Sequence, residues 1–190
     1  MQIFKNGQPQ PTQVEGGNSY ADYLLYLSSP GTLYASDTED SGETLSVFSI
    51  DSSGLKPKKS YSGLGGGQLA TDGKNIFESN GKVISPANFQ QIATMPFAST
   101  FPIDSGGWVT VDKDDGKAYF SIGYVPGQYQ PGIYVVSTST FKILGAIPTL
   151  FMGGYSSITP GHLLRIGSNG MAFRSGSGIY LIKTGLVTAK

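Results

Sequence analysis

The sequence predicts an all-β chain built from repeated, four-stranded antiparallel sheets, on three observations. A unit of short strands joined by Gly turns is written twice, at Asp72 to Pro96 and at Asp115 to Pro148. Composition suits strands and tight turns, with 27 Gly, 11 Pro, 11 Tyr and 10 Phe and only 14% of residues charged. Aromatic and β-branched side chains fill pleated strands, whereas Gly, Asn, Asp and Pro fill the turns between them. No stretch carries the amphipathic period of about 3.6 residues that a helix requires, so almost no helix is expected.

The two copies match step by step. In the first, Asp72-Gly73-Lys74 leads into Asn75 to Ser79, then a turn at Gly81, Lys82-Val83-Ile84-Ser85, and Phe89 to Pro96. In the second, Asp115-Gly116-Lys117 leads into Ala118-Tyr119-Phe120-Ser121, an inserted loop ending at Gly132, Ile133-Tyr134-Val135-Val136, and Phe141 to Pro148.

Further units flank these two. Residues 1–13 read as an outer edge strand, with Asn6-Gly7 as the turn of a hairpin, because both residues tolerate positive φ. Tyr23 to Leu27, Thr32 to Ala35 and Thr44 to Ile50 form the next strands, and the last of these is apolar on both faces, as a sheet stacked on both sides requires. The final unit runs from Leu163 through turns at Ser168-Asn169-Gly170 and Gly176-Ser177-Gly178 to Lys183. Gly73, Gly116 and Gly170, the equivalent turn glycines, lie about 40 to 55 residues apart, the period of four-stranded propeller blades. The expected architecture is a single domain over 1–190, a β-propeller or half propeller of about four blades at 14–67, 68–105, 106–158 and 159–190.

The pattern resembles bacterial β-propellers of the broad WD40/YVTN-like superfamily. Leu164-Arg165-Ile166-Gly167-Ser168-Asn169-Gly170-Met171-Ala172-Phe173-Arg174 is similar to the last blade of large secreted bacterial propellers, with Ile166 where that pattern carries Trp. Ile3 to Pro9 and Phe48 to Gly54 resemble the middle of such chains, so the likeness covers their C-terminal half, about four blades. The resemblance implies a fold and little chemistry. It also implies incomplete closure, because six to eight blades close more readily than four. Three arrangements fit, a small four-bladed ring, a half propeller that pairs with another chain, or a fragment of a longer polypeptide; because an open propeller leaves sheet edges that invite pairing, a homodimer or a second half-propeller chain is expected over a lone ring.

Charge and cysteine content narrow the partners. The 13 basic and 13 acidic residues cancel, leaving no broad positive field for nucleic acid. No apolar run reaches the roughly 18 to 20 residues of a membrane span, and the first residues lack the apolar segment of a signal peptide. With no Cys, disulfides, thiolate metal sites and cysteine nucleophiles are excluded. Low charge and a surface of Ser, Thr, Gly and Tyr favour a secreted or cell-envelope setting.

Candidate chemistry is sparse. His162 is the only histidine, and with Arg165 it is a candidate polar pair at the rim; a zinc site would need further ligands. Asp112, Asp114 and Asp115 precede Gly116 without the spacing of a calcium loop and read as a solvated turn, while the acidic loop Asp37 to Glu43 offers calcium only a weak hold. Gly63 to Gly67 precedes a strand and not a helix, so it reads as a linker between blades. No nucleophile elbow is present, and no catalytic residue or cofactor is assigned.

The loop from Ile122 to Pro131, inserted where the sister unit has a bare turn, carries Tyr124, Gln128 and Tyr129. Tyrosine offers large amphipathic area at low entropic cost, so these residues with Trp108 form a candidate contact surface for a protein or glycan. The expected function is a non-enzymatic binding or assembly module. The alternative is a lactonase- or lyase-like propeller enzyme holding a metal by carboxylates in a central channel.

Overall fold

A computed structural model of the chain describes residues 1–14, 21–28, 31–38, 43–97, 107–123, 130–149, 160–176 and 178–188. It is all-β, as expected: the described residues form no helix, and seventeen strands assemble a hairpin and four small antiparallel sheets, the blades of a β-propeller. The chain divides into two compact units, Met1–Leu69 and Ala70–Lys190.

In the first unit, β1 (Phe4–Lys5) and β2 (Gln8–Pro9) form the hairpin. Asn6 and Gly7 turn it at φ of 53° and 76°, the left-handed pair that a two-residue turn with matching twist requires. β3 (Tyr23–Leu27), β4 (Thr32–Asp37), β5 (Thr44–Asp51) and β6 (Gly54–Ser62) then make the first sheet in sequential order. Leu33, Ala35, Phe48 and Leu55 are buried on one of its faces, with Met1, Ile3, Val14 and Ala21 packed against them.

The second unit holds three sheets. The second sheet comprises β7 (Leu69–Thr71), β8 (Ile76–Glu78), β9 (Lys82–Ser85) and β10 (Gln90–Thr94). The third comprises β11 (Val109–Asp112), β12 (Lys117–Ile122), β13 (Gly132–Ser137) and β14 (Ile143–Pro148). The fourth has three strands, β15 (Gly161–Ile166), β16 (Gly170–Ser175) and β17 (Gly178–Lys183).

The written repeat is a structural one. Phe89 and Phe141 both adopt left-handed φ, at 55° and 56°, and each donates its N–H to a serine carbonyl four residues earlier, Ser85 at 2.8 Å and Ser137 at 2.9 Å. Each then opens a fourth strand with one extra residue, Ile92 in β10 and Leu144 in β14, and Lys58 does the same in β6. One unpaired residue increases local twist and bends the strand. The opening turn differs from the sequence match, which aligned Asp72 with Asp115. Asp72 Oδ1 accepts the N–H groups of Lys74 and Asn75, and it is Asp112 whose Oδ1 accepts those of Asp114 and Asp115. Counted from these equivalent aspartates, the Asp-Gly-Lys triplet begins at Asp72 itself in one turn and three residues after Asp112 in the other, so the identical residues hold different places.

The third sheet is buried on both faces because β12 alternates two apolar sets. Ala118, Phe120 and Ile122 pack with Phe77, Val83, Met95 and Phe97 on the side of the second sheet, where the Phe97 and Phe120 rings lie 5.1 Å apart. Tyr119, Ile133, Val135 and Ile147 pack on the other side with Leu163, Met171, Phe173 and Ile182 of the fourth sheet. Beyond β17 the chain doubles back. Val187 is fully buried in this second cluster, Leu186 fills the space beside Gly145, and the Thr188 carbonyl accepts from Lys117 Nζ at 2.9 Å.

Candidate functional site

Two constellations lie where the third and fourth sheets pack, at opposite ends of β11 and β15. At the start of β11, Trp108 is anchored to the end of β12: its N–H donates to Ser121 Oγ at 2.7 Å and its carbonyl accepts the Ser121 N–H at 2.8 Å. The half-buried indole meets the exposed imidazole of His162 with ring centroids 3.9 Å apart and planes 36° from parallel.

Local backbone creates this stack. Regular alternation would turn His162 to the face opposite Leu163, away from the third sheet. Instead the pairing of β15 with β16 slips between Gly161 and Leu164, and His162 takes a φ of 51°. A bulge re-aims a side chain in this way, and a left-handed φ at a non-Gly residue is backbone strain of the kind that collects at functional positions. Gly161 completes the fit, because a Cβ there would lie 3.3 Å from the indole Nε1.

At the other end, Arg165 Nε donates to Asp112 Oδ2 at 2.7 Å, and its remaining nitrogens reach the carbonyls of Gly170 and Ser168 at 3.2 and 3.3 Å. The guanidinium carbon lies 5.7 Å from the centre of the Tyr119 ring. Beside this pair, Lys117 Nζ and Asp115 Oδ2 stand 2.5 Å apart, with side chains only 9% and 4% exposed. Tyr119 is fully buried, and its hydroxyl has no hydrogen-bond partner among the described residues. Burial first, and the carboxylates of Asp112 and Asp115 after it, push this phenol up to about 12 against the opposing pull of Arg165.

The sequence candidates are therefore distributed as follows. Trp108 and His162 meet, and Arg165 is drawn into an ion pair at the far end of β15 rather than joining His162. Asp112 and Asp115 hold a turn and two cations instead of standing as a solvated loop. Tyr124, Gln128 and Tyr129 lie outside the described residues. Sequence reasoning missed Ser121, Lys117 and Tyr119. For Lys117 no sequence signal existed, whereas the alternation of β12 already turned Tyr119 away from Ala118 and Phe120.

No family model matches the chain, and no curated protein matches it. Solved structures do. A protein from Lactobacillus plantarum superposes with a TM-score of 0.52 at 14% identity over 93% of this chain, which spans 59% of that one. A nidogen/laminin complex aligns at 0.44 with 11% identity, over 96% of this chain and 84% of that one. A candidate 6-phosphogluconolactonase from Bacteroides uniformis aligns at 0.36 with 14% identity, over 92% of this chain and 73% of that one. The first of these shows the fold this chain shares, a β-propeller, and nothing of its chemistry.

Proposed function

We propose that the chain is a non-enzymatic binding module that takes a protein or glycan partner on the Trp108–His162 pair, together with Tyr124, Gln128 and Tyr129 of the segment that follows β12 in sequence. The observation that carries this reading is the strained, bulged backbone that holds an exposed His162 ring on Trp108. A core histidine needs no such strain. The stacked pair offers an aromatic face together with imidazole nitrogens, a combination that suits a sugar ring or an amphipathic side chain. Ser121, whose backbone anchors Trp108, precedes Tyr124 by three residues in the sequence. The resemblance to secreted bacterial propellers and the low charge support a secreted or envelope setting.

The alternative is a lactonase- or lyase-like propeller enzyme with a carboxylate-bound metal in a central channel, for which Asp112 and Asp115 are not the candidates. Asp112 and Asp115 are engaged by Arg165 and Lys117, which makes them structural anions rather than free ligands.

The test is capture of glycans and of surface proteins by immobilised parent chain and by Trp108→Ala and His162→Ala variants, with melting recorded alongside. Loss of partner capture in both variants at unchanged fold supports the reading. Equal capture by all three proteins overturns it.

A further inference from the structure

We propose that the uncovered face of the fourth sheet is the docking surface for a second copy of this chain, which meets it with its own β3. Leu164, Ile166, Ile179 and Leu181 are 62%, 47%, 78% and 74% exposed. The register of Leu164 on Ala172 and of Ala172 on Leu181 places them together on one face, opposite the side that packs on the third sheet. Single exposed apolar residues are ordinary, but four on the two outer strands of one sheet face, flanking the buried Ala172 of β16, are not.

Charge names the occupant. All 13 acidic residues lie at or before Asp115, while Lys117, Lys142, Arg165, Arg174, Lys183 and Lys190 follow it. Arg174 pairs with Ile179 and Lys183 follows Leu181 at the same alternation, so both exposed cations stand on the apolar face. The matching surface is present on the same chain. Along β3 and the residue before it, Asp22, Leu24 and Tyr26 are exposed, Leu24 and Tyr26 at 56% and 53%, and Asp22 Oδ2 accepts from the N–H and hydroxyl of Thr38 while its carboxylate stays open to solvent. A second copy therefore brings Leu and Tyr onto the aliphatic row and a carboxylate toward Arg174 and Lys183. Such an interface joins two different surfaces, so it propagates until it closes on itself. The Trp108–His162 pair takes no part in it.

The test is light scattering of the parent chain over a concentration range at low and high salt, beside Leu181→Asp, Leu24→Asp and Lys183→Glu. All three positions are exposed, so the variants retain the parent's circular dichroism and melting. The parent is expected to self-associate, and less so at high salt. Each Leu→Asp variant alone is expected to associate roughly 30-fold more weakly, because it sets a carboxylate at the centre of an apolar interface. Mixing the two restores a complex of one to one, since each variant keeps the surface the other lacks. A parent that stays monomeric at every concentration overturns the proposal. So do Leu→Asp variants that associate like the parent, or a mixture that stays monomeric, which would indicate a different occupant or a like-to-like interface.

Discussion

Arg165 reaches from β15 to Asp112 on β11, Nε to Oδ2 at 2.7 Å, and thereby pins the fourth sheet to the third at the end away from the Trp108–His162 stack. The side chains are 15% and 17% exposed, dry enough for each charge to need the other. Arg165→Ala leaves Asp112 facing the buried Asp115–Lys117 pair without its cation. That variant is expected to lose about 1–3 kcal/mol in chemical denaturation. Asp112→Ala costs a similar amount, and the double variant costs clearly less than the sum, which a double-mutant cycle reads directly.

Tyr119→Phe is expected to leave the melting temperature unchanged or raise it. The hydroxyl is fully buried with no hydrogen-bond partner among the described residues, so the native state carries its desolvation without return. A clear fall in melting temperature would mean that the hydroxyl is satisfied in solution.

Alkaline pH provides a second reading of the same residue. The folded phenol sits at about 12 against an ordinary 10.0, so between these values the unfolded chain gives up its proton while the folded one keeps it. The contribution is fully present below pH 10 and is lost as pH rises toward 12. Denaturant midpoints measured through this window should fall less steeply for Tyr119→Phe than for the parent.

His162 allows strain and ring stacking to be separated. Gly accepts a φ of 51° without penalty and Ala does not, so His162→Gly is expected to be about 1 kcal/mol more stable than His162→Ala. Both variants uncover the indole of Trp108, the only tryptophan, and should shift its emission to the red by equal amounts. Equal stability of the two would show that the bulge relaxes in solution.

Gly65 and Gly73 share left-handed φ, at 93° and 89°, yet differ in surroundings. A Cβ at Gly65 would meet the Thr44 carbonyl oxygen at 2.5 Å, whereas one at Gly73 meets nothing within 4 Å. Gly73→Ala should cost about 1 kcal/mol, the backbone penalty alone, and Gly65→Ala at least twice as much in thermal melts.

How far the fold was legible follows from which features are local. Phe89 and Phe141 could be aligned because a turn, an aromatic residue and a strand recur along the chain, and the structure gives both the same left-handed turn and the same backbone hydrogen bond. Asp72 could not be matched correctly, because its triplet recurs at Asp115, three residues beyond Asp112, and it is Asp112 that holds the equivalent turn. The site was legible only as parts. Trp108 and His162 were each singled out, but their meeting depends on the stacking of two sheets and on a register slip that no local pattern announces. The same stacking carried Arg165 to Asp112 instead of to His162.

The return of the chain after β17 sets how this half of the molecule comes apart. Val187 lies fully buried between the third and fourth sheets, and the Thr188 carbonyl is tied to Lys117 on β12. The fourth sheet therefore cannot peel away while its tail remains seated, and the tail cannot leave without stripping Lys117 of a partner. Loss of both sheets becomes one cooperative event, with amide protons of β12 and β16 exchanging at a common rate.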